Sequence, residues 1–133
     1  MATTELPDFV IAVDSREKCK PSLNAPTRVV CLRTGDLSII GYEDQIALER
    51  KRMNDLAMCL SKERERFKRE LERARSFDYF AVVIEGTFAD LASGRYTSRL
   101  HPNSAVESIS AFEVRYKIPF LFCGTQALAA RKC

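Results

Sequence analysis

The chain carries Gly35-Asp36 and, thirteen residues beyond that aspartate, the run Glu49-Arg50-Lys51-Arg52-Met53-Asn54-Asp55. Two carboxylates and a lysine in this pattern are the minimum set for metal-assisted cleavage of a phosphodiester. Such a diester is anionic and repels hydroxide, so a site must neutralise charge and generate a nucleophile. Carboxylate oxygens suit Mg²⁺ or Mn²⁺, which polarise a phosphoryl oxygen and lower the pKa of a bound water. The Lys51 ammonium can orient that water or stabilise the charge that develops on phosphorus. Taken alone, Glu49-Arg50-Lys51 reads equally as the charged, solvated start of a helix.

The elements that would position these groups argue for the chemistry. Ile46 to Lys51 reads as a strand, so Glu49 and Lys51 share one face while Arg50 points away. Asp36, at the end of a neighbouring strand, can converge with them. A third acid, Asp14, ends the apolar run Phe9 to Val13, at the carboxyl edge where open α/β sheets place their ligands. Asp55 falls in a first helical turn, where its carboxylate favours the free N–H groups and can hold Arg50 or Lys51.

Asp14-x-Arg16-Glu17, Gly35-Asp36 and Glu49-Arg50-Lys51-x-x-x-Asp55 together resemble the signature of the XPF-type nuclease domain, a branch of the PD-(D/E)xK superfamily. The likeness continues through Val82-Val83-Ile84-Glu85-Gly86, through Asn103 to Lys117, and through Pro119-Phe120-Leu121-Phe122-Cys123. It spans about Phe9 to Arg131. The resemblance implies a restriction-endonuclease-like core in which Asp36 and Glu49 ligate Mg²⁺ or Mn²⁺ and Lys51 is catalytic. Arg50 and Asp55 would be essential partners, Asp14 a further acid of the metal site, and Arg16 a DNA contact. Leu37 stands where the family often has Tyr after Gly-Asp. The Asp36-to-Glu49 connection is closer in length to bacterial and phage members. The tandem helix-hairpin-helix module of many relatives is not in this sequence.

Composition bounds the alternatives. At 133 residues and a net charge of +3 this is one domain, 1–133, with no apolar run approaching a membrane span. The N-terminus lacks a basic-then-apolar leader pattern, which points to the cytoplasm, or to the nucleus in a eukaryote. Five cysteines at irregular spacing, without a Cys-x-x-Cys pair and with His101 as the one histidine, argue against structural zinc. Cys31 and Cys123 lie in apolar runs and read as small core residues. The basic stretch Lys51 to Arg75 is interleaved with Glu63, Glu65, Glu70 and Glu72, the pattern of a solvated helix with pairs three and four apart. Arg95 and Arg99, with Arg115 near them, are less neutralised, since no acid lies between Gly94 and Asn103. They are the better DNA contacts.

Periodicity and turn residues predict strands at Phe9–Val13, Arg28–Arg33, Leu37–Ile40, Gln45–Lys51, Tyr79–Glu85 and Pro119–Cys123. Helix is predicted from about Asn54 to Arg75, broken near Ser61, where the serine can cap a second segment. Phe67, Leu71 and Ala74 would form its inward face. A short helix from Thr87 to Ser93 stops at Gly94. A longer one, N-capped by Asn103, runs to Tyr116 with Val106, Ile109, Phe112 and Val114 inward. A last helix, Thr125 to Ala130, ends abruptly at Arg131-Lys132-Cys133, as in a chain cut from something longer. Strands alternating with helices after an initial hairpin give a three-layer α/β/α sandwich with a mixed central sheet. Glu85, at a strand end before Gly86, reads as turn chemistry.

The leading expectation is a metal-dependent endonuclease acting on DNA, and the family analogy suggests branched, flapped or junction-containing substrates. A non-catalytic DNA-binding or scaffolding subunit is the alternative from another class, disfavoured by the intact acid–acid–lysine set. A homodimer is expected, or else a partner subunit that supplies DNA binding. The excess apolar positions Ala105, Ile109, Ala111 and Phe112, with Ala127 to Ala130, are the candidate contact.

Overall fold

A computed structural model of the chain describes residues 9–17, 26–125 and 128. Six strands run in chain order as β1 (Ile11–Asp14), β2 (Thr27–Val30), β3 (Leu37–Ile39), β4 (Ile46–Arg52), β5 (Tyr79–Glu85) and β6 (Phe120–Phe122). Four helices accompany them: α1 (Met53–Cys59), α2 (Arg64–Ala74), α3 (Phe88–Ala92) and α4 (Pro102–Tyr116). The strands form one mixed sheet in the order β2-β1-β3-β4-β5-β6. The hairpin is β3–β4, whereas β1 and β2 pair in parallel. β4, β5 and β6 are parallel neighbours joined through helices. The expected α/β architecture, a mixed central sheet with flanking helices, is the one observed.

One core holds the sheet and helices together. Ala47, Phe80, Val82, Ile84 and Phe120 of the strands meet Leu56, Leu60, Phe67, Leu71, Leu91, Ile109 and Phe112. The Phe67 ring packs edge-on against both Phe112 and Phe120, at 6.1 and 6.2 Å between centroids. On the other face, Ile11, Leu37, Ile39, Leu48, Val83 and Leu121 help line an apolar groove of about 240 Å³. Successive β4 side chains therefore divide: Ala47 belongs to the helix side and Leu48 to the groove side.

Several boundaries differ from the sequence reading for visible reasons. β2 ends at Val30 rather than Arg33, because the next turn of chain is drawn to Asp14: the Leu32 N–H donates to its carboxylate at 2.8 Å. Ser61 marks the break between α1 and α2 but does not cap α2. Its hydroxyl donates back to the Ala57 carbonyl at 2.7 Å, and the N-cap position falls to Glu63, without a side-chain cap. α4 is capped by His101 rather than Asn103. The imidazole Nδ1 accepts from the Asn103 N–H at 3.1 Å, and Pro102 fills the first helical position, which needs no donor. Thr87 caps α3 in a reciprocal box with Asp90. Val114 is 80% exposed, not inward, while Ile109 and Phe112 are core. Cys31 is exposed and Cys123 half-buried, and Cys59 is the buried thiol of the three described. The proposed last helix lies mostly outside the described residues.

Gly35 sets the entry to the site. Its φ of +91° suits glycine alone, and a Cβ there would stand 3.0 Å from Ala47 Cβ and 3.2 Å from the Leu48 carbonyl oxygen. Gly35→Ala is expected to destabilise the chain by roughly 1–3 kcal/mol, measured by urea denaturation. Unchanged stability would mean that this backbone relaxes freely.

Candidate active site

The β3–β4 register brings the two principal carboxylates together. Leu37 pairs with Leu48, so Asp36, just before β3, lies beside Glu49. The contact is reinforced at the backbone: the Asp36 N–H donates to the Leu48 carbonyl at 2.8 Å, and Asp36 Oδ2 accepts from the Arg50 N–H at 2.8 Å. On β1, Asp14 donates its own N–H to the Asp36 carbonyl at 2.8 Å. Asp14 at the end of β1, Asp36 just before β3 and Glu49 within β4 thus stand on three adjacent strand segments.

Glu49 is 7% exposed, and its carboxyl group stands within hydrogen-bonding reach of those of Glu70 and Asp36. Burial, and then the neighbouring Glu70 and Asp36, push its pKa well above the ordinary carboxylate value. Lys51 shares this environment. Burial alone would lower its pKa, but Glu49, Cys59, Glu70 and Asp36 outweigh burial and hold it above the ordinary lysine value. At neutral pH it is an ammonium. Burial also raises the Cys59 thiol, against the opposing pull of Lys51, so the sulfur beside Lys51 is uncharged.

Arg50 points to the other face, as the strand alternation required. Its guanidinium is ion-paired with Glu85 at 2.6 Å and with Glu17 at 3.5 Å. Arg52 approaches the same Glu85 at 3.8 Å. Glu85 is therefore more than a turn residue. With Arg16, Arg50, Lys51, Arg52, Asp55 and Glu17 it lines an open cavity of about 450 Å³ at this sheet edge. Asp55 reaches that cavity from the first turn of α1 and is itself exposed.

Asp14 is placed next to these groups but spends its oxygens locally. They accept from the Arg16 N–H and Nε at 3.3 and 2.9 Å and from the Leu32 N–H at 2.8 Å. Arg16 also donates to the Leu32 carbonyl at 2.6 Å while its side chain stays 68% exposed. Arg95 and Arg99 follow α3 in the chain and are not among the residues that line this cavity. Arg95 is within 3.7 Å of Asp90, an acid that lies before the acid-free stretch from Gly94 to Asn103. Arg99 borders a separate groove with Lys62, Ser61, Thr97 and Ser98. Arg115 covers the Tyr116 ring at 5.5 Å.

Glu70 is the site neighbour that the sequence reading passed over, having counted it among the solvated glutamates of α2. The signal was there. Phe67, Glu70, Leu71 and Ala74 fall at helical spacing on one stripe, and the other three are buried in the core.

The donor chemistry suits a hard cation. Among the described residues no three His, Cys, Asp or Glu side chains already surround one common point. Mg²⁺ does not require that, since it keeps several waters and is usually held by one or two carboxylates. Buried oxygens crowded by like charge, as at Glu49, are what a divalent cation would relieve.

The sequence model of the ERCC4 domain matches residues 2–132. The chain belongs to the ERCC4 domain family. Among solved structures, XPF from Aeropyrum pernix matches with a TM-score of 0.74 at 23% identity over 92% of this chain and 60% of that one. The same protein described as a complex with DNA matches with a TM-score of 0.72 at 23% identity over 93% and 60%. The likeness establishes the nuclease-domain fold. The chain spans about three-fifths of the length of those structures. No curated protein matches. None of the helices formed by the described residues is long and apolar enough to cross a membrane.

The Asp14 hydrogen bonds make a testable contribution to stability. Burial would raise its pKa, but the bonds from Arg16 and Leu32 prevail, and the folded value lies below the ordinary 3.8. A depressed carboxylate stabilises above the unfolded value and loses that contribution as pH falls through the folded one. Asp14→Asn should therefore cost about 1–3 kcal/mol at neutral pH. The gap to the parent chain should narrow below pH 3.8, read from thermal melts across the acid range. A gap independent of pH would assign the loss to packing instead.

Proposed function

We propose that this ERCC4 domain is a metal-dependent endonuclease that hydrolyses phosphodiester bonds in DNA, with branched or flapped DNA as the substrate class. The observation that carries the reading is the convergence of the half-buried Asp36, the buried Glu49 and the Lys51 ammonium on one face of the sheet near its carboxyl edge. Asp36 and Glu49 would hold Mg²⁺ or Mn²⁺, with Asp14 adding negative charge from the adjoining strand. When bound, the ion supplies charge neutralisation and an acidified water.

The chain's own groups do the rest. Lys51 keeps its proton, because the surrounding acids favour the charged form. It therefore acts as a hydrogen-bond donor that orients water and stabilises the charge on phosphorus, not as a base. Arg50 acts at one remove: its N–H holds Asp36 Oδ2, and its buried guanidinium ties β4 to Glu85 and Glu17. Asp55 faces the cavity through which the DNA backbone would approach. Arg16 and Arg99, both exposed, are placed to meet phosphates, and Arg95 keeps that role in competition with Asp90.

Glu49→Gln keeps size and removes charge from the ion site, and Lys51→Ala removes the donor. Each should lower cleavage of a branched DNA with Mg²⁺ by at least about a hundredfold, while gel-shift affinity is largely kept. Full cleavage by Lys51→Ala would defeat the mechanism. Arg99→Ala should do the reverse, weakening binding and lowering the salt slope by about one phosphate contact.

A homodimer is the assembly we favour, though α4 offers less for it than its composition suggested. Ala105, Ile109 and Phe112 are spent on the core, leaving Ala111 and Val114 exposed. Light scattering at micromolar concentration should give twice the chain mass. A monomer mass would reassign these positions to ordinary core and surface.

A further inference from the structure

The glutamates around α2 are not alike. Glu63 pairs with Arg66 at 2.7 Å, Glu65 with Lys68 at 3.6 Å and Glu72 with Arg75 at 3.3 Å, each three residues apart on an exposed surface. Glu70 has no such pair among the described residues. Instead it lies on the buried stripe of the helix, between Phe67 and Ala74 at spacings of three and four. Its Oε1 is buried and meets no hydrogen-bond donor among the described residues. Its carboxyl group is directed at that of Glu49, itself 7% exposed.

A buried and a half-buried carboxyl group in contact are unfavourable unless a proton or a cation offsets their charge, and the Lys51 ammonium beside them is shared with Asp36 as well. A core that needed only packing at this position would be served by an apolar residue, such as the leucine at 71. We propose that Glu70 is a further acidic residue of the ion site, contributed by α2, which shares the divalent cation with Glu49 of β4. The proposal rests on the metal-dependent reading above and deepens it. Glu70 would couple the first long helix to the sheet through the ion, so that cation binding and the α2–β4 packing support one another.

The cost of holding the acids together without an ion gives Glu70 a signature that a merely structural residue lacks. Glu70→Gln removes like charge from Glu49, so the metal-free variant should melt at or above the temperature of the parent chain. At the same time its affinity for the ion should fall.

The test is calorimetric titration of Mn²⁺ into the 133-residue chain, Glu70→Gln and Glu49→Gln, without DNA. Circular dichroism confirms that each is folded. We expect Mn²⁺ to bind the parent chain and to bind Glu70→Gln about ten- to a hundredfold more weakly. If Glu49→Gln loses affinity while Glu70→Gln stays within about threefold of the parent, well short of that range, Glu70 is not part of the site and the nuclease reading stands. If the parent binds no Mn²⁺ at millimolar concentration, this proposal and the metal-dependent reading both fall. Should Glu70→Gln not fold, Glu70→Asp keeps the charge but withdraws the oxygens by one methylene, and the same affinity criterion decides.

Discussion

The site depends on one contact, the 2.8 Å hydrogen bond from the Arg50 N–H to Asp36 Oδ2. It ties a side chain that enters β3 to the backbone of β4, in the middle of the segment that carries Glu49 and Lys51. A backbone donor aimed at a carboxylate fixes both the direction of the acid and the register of the strand. A slip of one residue would send Glu49 and Lys51 to the groove side and bring Arg50 among the acids. Gly35, with its positive φ, turns the chain tightly enough against Ala47 and Leu48 for that bond to form.

Charge is then divided across the sheet. On the helix side, Asp36, Glu49 and Glu70 crowd around the half-buried ammonium of Lys51. On the other side Arg50 is held between Glu85 and Glu17, and Arg52 approaches the same Glu85. The second arrangement satisfies itself, because a buried guanidinium with two carboxylate partners is a brace. The first is acid-rich and unbalanced, and such imbalance in a buried place is characteristic of sites that act on or bind charged ligands. Packing sustains it: Phe67, Leu71 and Ala74 press α2 on the sheet and carry Glu70 inward with them.

Much of this was legible in the residues. The alternation of β4, the convergence of Asp36 with Glu49, the break near Ser61 and the short helix that stops before Gly94 all rest on local rules of period and turn chemistry. These rules act over a few residues and survive folding. Where they failed, a distant partner intervened. β2 stopped early because Asp14, sixteen positions before Val30, captures the Leu32 backbone. His101 took the cap expected of Asn103 because Pro102 needs no donor and its neighbour's imidazole can accept.

The sequence by itself determined which chemistry was available and on which strand face it would stand, since side-chain type and a two-residue period require no tertiary information. Only the tertiary structure decided which charges are left without balancing partners. Glu70 and Glu72 are alike as residues on a charged helix, but one turns to water and Arg75 while the other is driven against Glu49. Glu85 likewise became an anchor for Arg50 only when β5 lay parallel to β4 with Arg52 opposite it. The reason is physical: burial and the proximity of like charges are sums over the whole fold, and no window of sequence contains them.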